Sequence, residues 1–244
     1  MSKPIEENKI VVFTGAGISA ESGLQTFRDS NGLWNNYQVS EVATPHAWER
    51  NPRLVLDFYN QRRAQAVSAI PNKAHLAIAE LEKKFNVVVI TQNVDDLHER
   101  AGSHNVIHVH GELIKARSTI DNNLIYDIGG KDINVGDTCE KGGQLRPHIV
   151  WFGEEIHNYE ISAQHFKSAA KVLVVGTSLT VYPVAGLLKK ARYHAEKIIV
   201  GLEIDKKPYG FTFFRGTAVD LVPHIIDCWL SERSLSGRTY NKYS

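Results

Sequence analysis

The hydrophobic positions of this chain form short strand-like runs that alternate with helical ones. Residues Ile10 to Thr14 are apolar and rich in β-branched side chains, which predicts a buried strand leading into a glycine-rich turn. From Asn72 to Phe85 apolar residues recur at helical spacing, and Asn72 is a suitable N-cap. Val87 to Ile90 then predict a second buried strand.

The same alternation returns in the last third of the chain. Strands are predicted at Val172 to Val175 and Ile198 to Ile204, a helix at Val184 to Arg192, and a final helix around His224 to Leu230. Strands that alternate with helices indicate an α/β fold with a Rossmann-like, doubly wound parallel sheet, whose ligands bind at the carboxyl ends of the strands.

Two stretches interrupt this alternation. Ser30 to Ile70 is helical without strand signals, and Ile114 to Ile156 is polar and glycine-rich with short strand candidates. We interpret both as insertions that form a smaller lobe over the carboxyl edge of the sheet. The predicted organisation is one domain, 1–244, with a Rossmann-like lobe at about 8–29, 72–113 and 157–232 and a small lobe at about 30–71 and 114–156.

Composition narrows the classes of protein that fit. The 244 residues are 43% hydrophobic with a formal net charge of +1, so a continuous core is expected, but neither specific nucleic-acid nor membrane binding. The two cysteines, Cys139 and Cys228, form no paired pattern, which favours a reducing cytoplasm. Met1 to Lys9 lacks an apolar targeting segment, and no apolar run approaches the roughly 18 residues that span a bilayer. We expect a cytoplasmic monomer.

Three polar motifs follow predicted strands. Gly15-Ala16-Gly17 allows close backbone approach to a pyrophosphate, with the following helix directing its N–H groups at the anion, although a tight structural turn is the alternative. Gln92 to Asp95 offers amides and a carboxylate for a ribose or carboxamide, unless Asp95 merely caps the next helix. His108 and His110 are spaced by two, which predicts that both lie on the same side of a strand, as catalytic or structural histidines.

These motifs occur in an order that resembles the sirtuins. The glycine loop with Thr26-Phe27-Arg28, then Thr91 to Asp95, His108 to Gly111, Leu145 to Glu154 and Gly176-Thr177-Ser178 extend the resemblance from about Lys9 to about Leu230. The resemblance implies the sirtuin fold and an NAD-dependent protein-lysine deacylase, with His110 and Asn93 as catalytic residues. It further implies that NAD is held by Gly15, Ala16, Gly17, Glu21, Thr26, Phe27, Arg28, Trp34, Gln92, Asn93, Val94, Asp95, Gly176, Thr177, Ser178, Gly201, Leu202, Glu203 and Ala218. An Asn is common in the family where Gly201 stands, so that ribose contact is in doubt.

The resemblance also implies a reaction. The carbonyl oxygen of an acyl-lysine attacks the ribose carbon that bears nicotinamide, and a ribose hydroxyl activated by His110 then attacks the resulting imidate. Free lysine, nicotinamide and O-acyl-ADP-ribose result, so NAD is consumed. A neutral imidazole suits this role, because its pKa near 6.5 lets it accept a proton at neutral pH.

Tyr59 and Arg62 form an i,i+3 pair on a predicted helix, where they offer several donors to a carboxylate. A solvated basic helix face is the alternative. The same pair, with a small residue matched by Ala43, occurs in sirtuins that favour succinyl or malonyl groups. Val150, Phe152 and Gly153 belong to a segment that resembles the family's strand-like contact with acylated protein substrates.

A structural zinc is not expected. Most sirtuins bind zinc with two Cys-x-x-Cys pairs, whereas this chain has only Cys139 between Lys115 and Arg146, with Ser118 near the first ligand position. We therefore predict no metal ligands, and a small lobe held by packing, with Thr119 to Gln144 shortened or mobile. An NAD-dependent ADP-ribosyltransferase and a non-catalytic NAD-binding module remain as alternative functions.

Overall fold

A computed structural model describes residues 5–25, 33–34, 37–204 and 206–235. The strands are β1 (Glu6–Thr14), β2 (Leu33–Trp34), β3 (Tyr37–Gln38), β4 (Asn86–Thr91), β5 (Val106–His108), β6 (Gly111–Ser118), β7 (Ile125–Asp127), β8 (Leu145–Ile149), β9 (Ala169–Val175), β10 (Glu196–Gly201) and β11 (Thr212–Arg215). The α-helices are α1 (Val39–Val42), α2 (Pro45–Arg50), α3 (Pro52–Ser68), α4 (Lys73–Glu80), α5 (Leu97–Arg100), α6 (Tyr159–Ser168) and α7 (Ala218–Leu230).

Six strands form one parallel sheet in the order β11-β10-β9-β1-β4-β5, which confirms the predicted doubly wound α/β fold. The chain leaves β1 toward β4 and β5, then returns to β9 and continues outward to β10 and β11. The strand order therefore reverses between β1 and β9, and such a reversal leaves a crevice at the carboxyl ends of the strands where α/β proteins bind ligands.

Both faces of this sheet are buried. In β1, Ile10 and Val12 pack with Val222 of α7, whereas Val11 and Phe13 pack on the other face with Phe166 of α6. Alternate residues of a strand point to opposite faces, so an uninterrupted apolar run satisfies two cores at once. This explains why the β1 run has no polar alternation.

The smaller lobe packs α1, α2 and α3 against an antiparallel sheet of order β7-β6-β8. Its main cluster includes Phe58, Tyr59 and Trp151, and the rings of Trp48 and Trp151 lie 5.7 Å apart. A second cluster joins Leu56, Ala116 and Ile133. The lobe boundaries remain a prediction, and the boundary placed at 113/114 falls inside β6.

Several predicted elements differ from the structure. The segment after the glycine loop forms two 3-10 turns, Ala16–Ile18 and Ala20–Ser22, rather than a helix. Residues Val184–Lys190 also form a 3-10 helix, and the strand predicted to Ile204 ends at Gly201. The predictions missed α6 and β11, and two short strands, β2 and β3, lie in the stretch that carried no strand signal. None of the described helices has both the length and the apolar character that a membrane span requires.

Candidate active site

Two glycine loops meet where the strand order reverses. The N–H of Gly15 donates to the carbonyl of Val175 at 3.0 Å, and the N–H of Gly17 donates to the carbonyl of Gly176 at 2.8 Å. A Cβ on Gly17 would lie 2.8 Å from the Cα of Gly176, which itself has φ +64°. Glycines are therefore required here for loop-to-loop packing and for a left-handed backbone.

The structure differs from the expected helix after the glycine loop, while the contact of the loop with a pyrophosphate stays a prediction. The N–H groups of Gly15, Gly17, Ile18 and Ser19 all donate within the chain, and no α-helix begins between the loop and Gln25, where the described segment ends. These four groups are thus unavailable to a phosphate in the structure. The loop therefore contributes main-chain surface, without bulky side chains, to the lining of the crevice.

A single cleft of about 1000 Å³ lies between the loops and the small lobe. Its volume is at the upper end of the range of roughly 300–1,000 Å³ found for ligand sites. The sequence-predicted residues that line it are Gly15, Ala16, Gly17, Glu21, Ala43, Tyr59, Arg62, Gln92, Asn93, Val94, Asp95, His110, Val150, Phe152, Gly153, Gly176, Thr177, Ser178, Gly201, Leu202, Glu203 and Ala218. Thr26, Phe27 and Arg28 lie outside the described residues, as does the side chain of Trp34 on β2.

Ser19 connects two of the predicted residues, and the sequence analysis did not assign it a role. The Asn93 side-chain amide donates to the Ser19 hydroxyl at 3.1 Å, and that hydroxyl donates to the carboxylate of Asp95 at 3.1 Å. Asp95 also accepts the N–H of Leu97, so the capping alternative is realised alongside its position in the cleft. Burial raises the pKa of Asp95. Ser19 follows the glycine loop directly, which is the only sequence signal for its involvement.

Residues 108–110, at the end of β5, make hydrogen bonds to the main chain of residues 91–93, at the end of β4. The Val109 N–H donates to the carbonyl of Thr91 at 3.0 Å. The next two carbonyls face imidazole Nδ1 atoms, since His110 lies 3.0 Å from Gln92 and His108 lies 3.0 Å from Asn93. Three consecutive carbonyls of the 91–93 turn are therefore bound by residues 108–110.

The two histidines do not lie on the same side of a strand, which corrects the sequence-based expectation. β5 ends at His108, and the chain bends before His110, so the alternation of side chains stops between them. His110 lines the main cleft, whereas His108 lines a smaller cavity of about 320 Å³ behind the turn.

The contact to Gln92 fixes the tautomer of His110. A carbonyl oxygen only accepts hydrogen bonds, so a neutral His110 carries its proton on Nδ1 and leaves a lone pair on Nε2. Burial lowers the pKa of His110, the Gln92 carbonyl raises it, and nearby His157 lowers it further, for a net decrease from 6.5. At neutral pH the ring is therefore uncharged and can act as a base.

Tyr59 and Arg62 lie on α3 at the small-lobe end of the cleft. Tyr59 is 1% exposed, and its hydroxyl makes no hydrogen bond of good geometry with the described residues, although Trp151 lies near enough to lower its pKa. Burial raises the pKa of Tyr59, while the charge of Arg62 lowers it. Burial lowers the pKa of Arg62 to about 10, and Tyr59 and Asp95 oppose this change. The end of the cleft thus combines a buried hydroxyl with a partly buried guanidinium, and Ala43 leaves it room.

Residues 150–153 form a loop whose N–H groups are largely used. Val150 donates to the carbonyl of His110 at 2.9 Å, Phe152 donates to the carbonyl of Ala43 at 3.0 Å, and Trp151 donates to Glu154 at 2.8 Å. A polypeptide added alongside this loop would therefore have to use other backbone groups. The loop instead connects His110 to Ala43 at the small-lobe end of the cleft.

Two arginines anchor this loop through Glu154. Arg117 and Arg146 both donate to its carboxylate, and the guanidinium of Arg146 lies 3.2 Å from the ring centroid of Trp151. Burial raises the pKa of Glu154, but hydrogen bonds from Arg146 and from the Trp151 N–H lower it below its ordinary value. The carboxylate therefore stays ionised in this cluster, which sequence reasoning did not identify.

The position expected for zinc holds a hydrogen-bonded turn. The thiol of Cys139 donates to the hydroxyl of Ser118 at 3.3 Å, and that hydroxyl also accepts the N–H groups of Ile120 and Asp121. The turn continues to a bridge between Thr138 and Gln144. One thiolate does not complete a tetrahedral zinc site.

Among the described residues, Glu99, His108 and Glu112 form the one group that could offer three metal-binding atoms. Its contacts are those of an ion-paired network instead, because the ammonium of Lys115 binds Glu112 and both His108 nitrogens face oxygen atoms.

Comparison with known proteins agrees with this geometry. Residues 15–183 match the Sir2 family, so the chain belongs to that family. An NAD-dependent protein deacylase of Helicobacter pylori is 48% identical over 228 residues, which cover 89% of this chain and 95% of the relative.

Solved structures are similar over nearly the whole chain. A mutant Sir2 homologue in complex with ADP-ribose has a TM-score of 0.83 and 37% identity, covering 96% of each chain. A Sir2 homologue bound to NAD has a TM-score of 0.82 and 38% identity, covering 94% of this chain and 92% of the other.

Proposed function

We propose that this protein is an NAD-dependent protein-lysine deacylase in which His110 is the general base and the cleft binds both NAD and the acyl-lysine. Membership of the Sir2 family and the similarity to named protein deacylases support the activity itself. The observation that carries the residue assignment is the His110–Gln92 contact, because it leaves Nε2 with a lone pair in the cleft.

The cleft has the groups that NAD requires. The glycine loops line the cleft at the switch point without side chains, and the amides of Gln92 and Asn93 with the Asp95 carboxylate can bind a carboxamide or ribose hydroxyls. At the adenosine side, Ser178 and Glu203 supply polar atoms, whereas Gly201 offers no side chain.

NAD acts here as a substrate that is consumed. The acyl-lysine oxygen bonds to the ribose carbon as nicotinamide leaves, and His110 removes a proton from a ribose hydroxyl, whose oxygen bonds to the imidate carbon. The bond from that carbon to the lysine nitrogen then breaks as the amine takes up a proton. One water molecule adds to the remaining acyl carbon and releases O-acyl-ADP-ribose. The role of this chain is to orient the two substrates and hold one proton at Nε2 of His110. Asn93, fixed through Ser19, positions the ribose end.

Tyr59 and Arg62 extend this proposal to acyl groups that end in a carboxylate. A buried hydroxyl and a partly buried guanidinium at the same end of the cleft favour an anion, since both can donate to it where the protein partly excludes water. An acetyl group has no carboxylate to bind them. The substrates are therefore proteins acylated on lysine, with succinyl or malonyl preferred, and the monomeric state and cytoplasmic location stay predictions.

The decisive experiment incubates the protein with NAD and a panel of acetylated, malonylated, succinylated and glutarylated peptides. Mass spectrometry should detect free lysine peptide, nicotinamide and O-acyl-ADP-ribose in equal amounts. ADP-ribosylated peptide with no loss of the acyl group would assign the transferase alternative, and no turnover of NAD would assign a binding module.

A further inference from the structure

His108 lies behind the active-site turn with both ring nitrogens close to oxygen atoms. Its Nδ1 is 3.0 Å from the carbonyl oxygen of Asn93, and its Nε2 is 2.8 Å from the carboxylate of Glu99 on α5. A second carboxylate, that of Glu112 on β6, lies 3.9 Å from Nε2. Only 8% of His108 is exposed, so water does not replace these partners.

A neutral ring cannot satisfy both contacts. The Asn93 carbonyl and an ionised Glu99 are both acceptors, whereas neutral imidazole has one N–H. Since a carboxylate is the stronger acceptor, a neutral His108 would direct its proton to Glu99 and place a lone pair against the Asn93 carbonyl. Only the imidazolium donates to both.

We propose that His108 is a positively charged positioning residue that fixes the Asn93 turn for NAD and releases it when the ring loses its proton. The inference deepens the proposed function and rests on it, because the position of Asn93 matters only if NAD reacts in this cleft. His108 contacts neither the main cleft nor a reacting atom, so it acts through Asn93.

The charge of the surroundings supports this assignment. Burial lowers the pKa of His108, but Glu99, Glu112 and the Asn93 carbonyl raise it above 6.5 overall. Burial raises the pKa of Glu99, yet its contacts with His108 lower it below 4.5 overall. A raised pKa of His108 and a lowered pKa of Glu99 both favour the state in which His108 is positively charged and Glu99 is negatively charged.

The titratable groups around His108 come from every neighbouring element. They are Glu99 and His98 of α5, Asp95 of the turn, Glu112 of β6, His148 of β8, and His157 before α6. The three histidines have pKa values lowered by burial and stay neutral at pH 7, and Lys115 pairs with Glu112. Glu99 is therefore the group with the largest influence on whether His108 is protonated and on which ring nitrogen carries the proton.

The turn at residues 91–93 connects His108 to the cleft through Asn93. The Asn93 N–H donates to the Thr91 hydroxyl at 3.0 Å, and its side-chain amide donates to Ser19, which binds Asp95. His108 holds the main-chain carbonyl of Asn93. Loss of that contact frees one end of a residue whose side chain is otherwise fixed.

Three variants separate the charge of His108 from its shape. His108→Phe keeps a planar ring without any donor, and His108→Gln keeps an amide donor without charge. In Glu99→Gln the introduced amide can donate to Nε2, so a neutral His108 can keep its proton on Nδ1 and still bind Asn93. The surface pair of His104 and Glu82 supplies the control, His104→Gln, because its side chain is 87% exposed.

The readout is the KM for NAD from pH 6 to 9, measured with the intact protein and an acylated peptide. His108→Phe should raise KM for NAD about ten-fold at pH 6, where the wild-type ring is charged, because a hydrogen bond from a charged donor is lost. The difference from the wild type should shrink as pH rises, because the wild-type ring then loses the same contact. His108→Gln should recover part of this loss. KM for the peptide should stay within about two-fold, because the peptide does not contact the turn through Asn93.

The dependence of KM for NAD on pH distinguishes this proposal from a purely structural role of His108, which would not change with the charge of the ring. In the wild type, KM for NAD should rise as pH increases above 6.5 through the raised pKa of His108. Glu99→Gln should remove this rise, and His104→Gln should preserve it.

Failure of the two proposals would look different. Absence of NAD-dependent deacylation in the wild type overturns the proposed function. An active wild type with an unchanged KM for NAD in His108→Phe, or with the same alkaline rise in Glu99→Gln, overturns the positioning role. A dependence of the profile on chelation by EDTA would also overturn it, by assigning a cation to Glu99, His108 and Glu112.

Discussion

The Nδ1 of His110 lies 3.0 Å from the carbonyl oxygen of Gln92, which sets the side of the imidazole that is left to act as a base. His110→Ala should reduce turnover by about 10²–10⁴, the usual contribution of general base catalysis. The variant should keep the wild-type melting temperature, since His110 lines the cleft and is not part of a core cluster. Deacylation at the wild-type rate would refute the assigned base.

The burial of His110 predicts the acid limb of the pH profile, because it lowers the pKa of the ring more than the Gln92 contact raises it. The pKa of His110 is lowered from 6.5, so the uncharged base should persist below pH 6.5 in the free enzyme. We expect kcat/KM to decline only at a pH lower than 6.5 as His110 takes up a proton, because the protonated ring cannot accept another. A wild-type kcat/KM that already declines at a pH above 6.5 would contradict this assignment.

Gly111, which follows His110, should be intolerant of any side chain. Its φ is +84°, and a Cβ there would lie 1.9 Å from the carbonyl oxygen of His148. Gly111→Ala should therefore destabilise the fold by at least about 3 kcal/mol, through backbone strain together with a clash against β8. Urea unfolding measures the loss.

Gly142 provides the matched control. It has a similar φ of +80°, but an added Cβ would have nothing within 4 Å. Gly142→Ala should cost only the strain of a left-handed residue, about 1–2 kcal/mol. Equal losses in the two variants would mean that the contact with His148 relaxes without cost.

The small lobe should be stable without zinc. Purified protein should contain well under one zinc per chain, and EDTA should leave its melting temperature unchanged. Cys139→Ser preserves the contact with the Ser118 hydroxyl and should alter stability by no more than about 1 kcal/mol. Stoichiometric zinc whose removal unfolds the protein would reveal ligands other than cysteine.

The sequence predicted the fold well where one local signal was sufficient. The apolar β1 run and the Asn72 cap are local features, and the structure has the strand and the capped helix α4. β11 was missed because its four residues carry too little pattern to exceed the alternatives. The two histidines were misplaced because the chain bends at residue 109, which spacing alone does not predict.

The chemistry of the site depends on contacts between distant segments. Gly17 meets Gly176, and the tautomer of His110 depends on Gln92, eighteen positions away in the chain. Motifs identified these residues, but neither their spacing nor their types show which atoms face one another. The glycine loop illustrates the limit, since the N–H groups of Gly15 and Gly17 bind the protein itself rather than remaining open for a phosphate.

Arg62 should determine the preference for acidic acyl groups. Arg62→Met keeps much of the side-chain volume while removing the charge at the end of the cleft. A charge-assisted hydrogen bond contributes about 1.5–3 kcal/mol, so kcat/KM for a succinyl peptide should fall by roughly one to two factors of ten. Deacetylation should stay within a few-fold of the wild type, because acetyl has no carboxylate to lose its partner.

Two further variants serve as comparisons for the effect of Arg62→Met. Tyr59→Phe removes only the buried hydroxyl and should also reduce desuccinylation selectively. Arg53→Met makes the same substitution at an exposed position of α3 and should affect neither substrate. The charge of Asp95 also acts on Arg62, so Arg62 could instead support the NAD side of the cleft. In that case Arg62→Met would lower both activities equally and raise KM for NAD, and the proposed acyl preference would have to be abandoned.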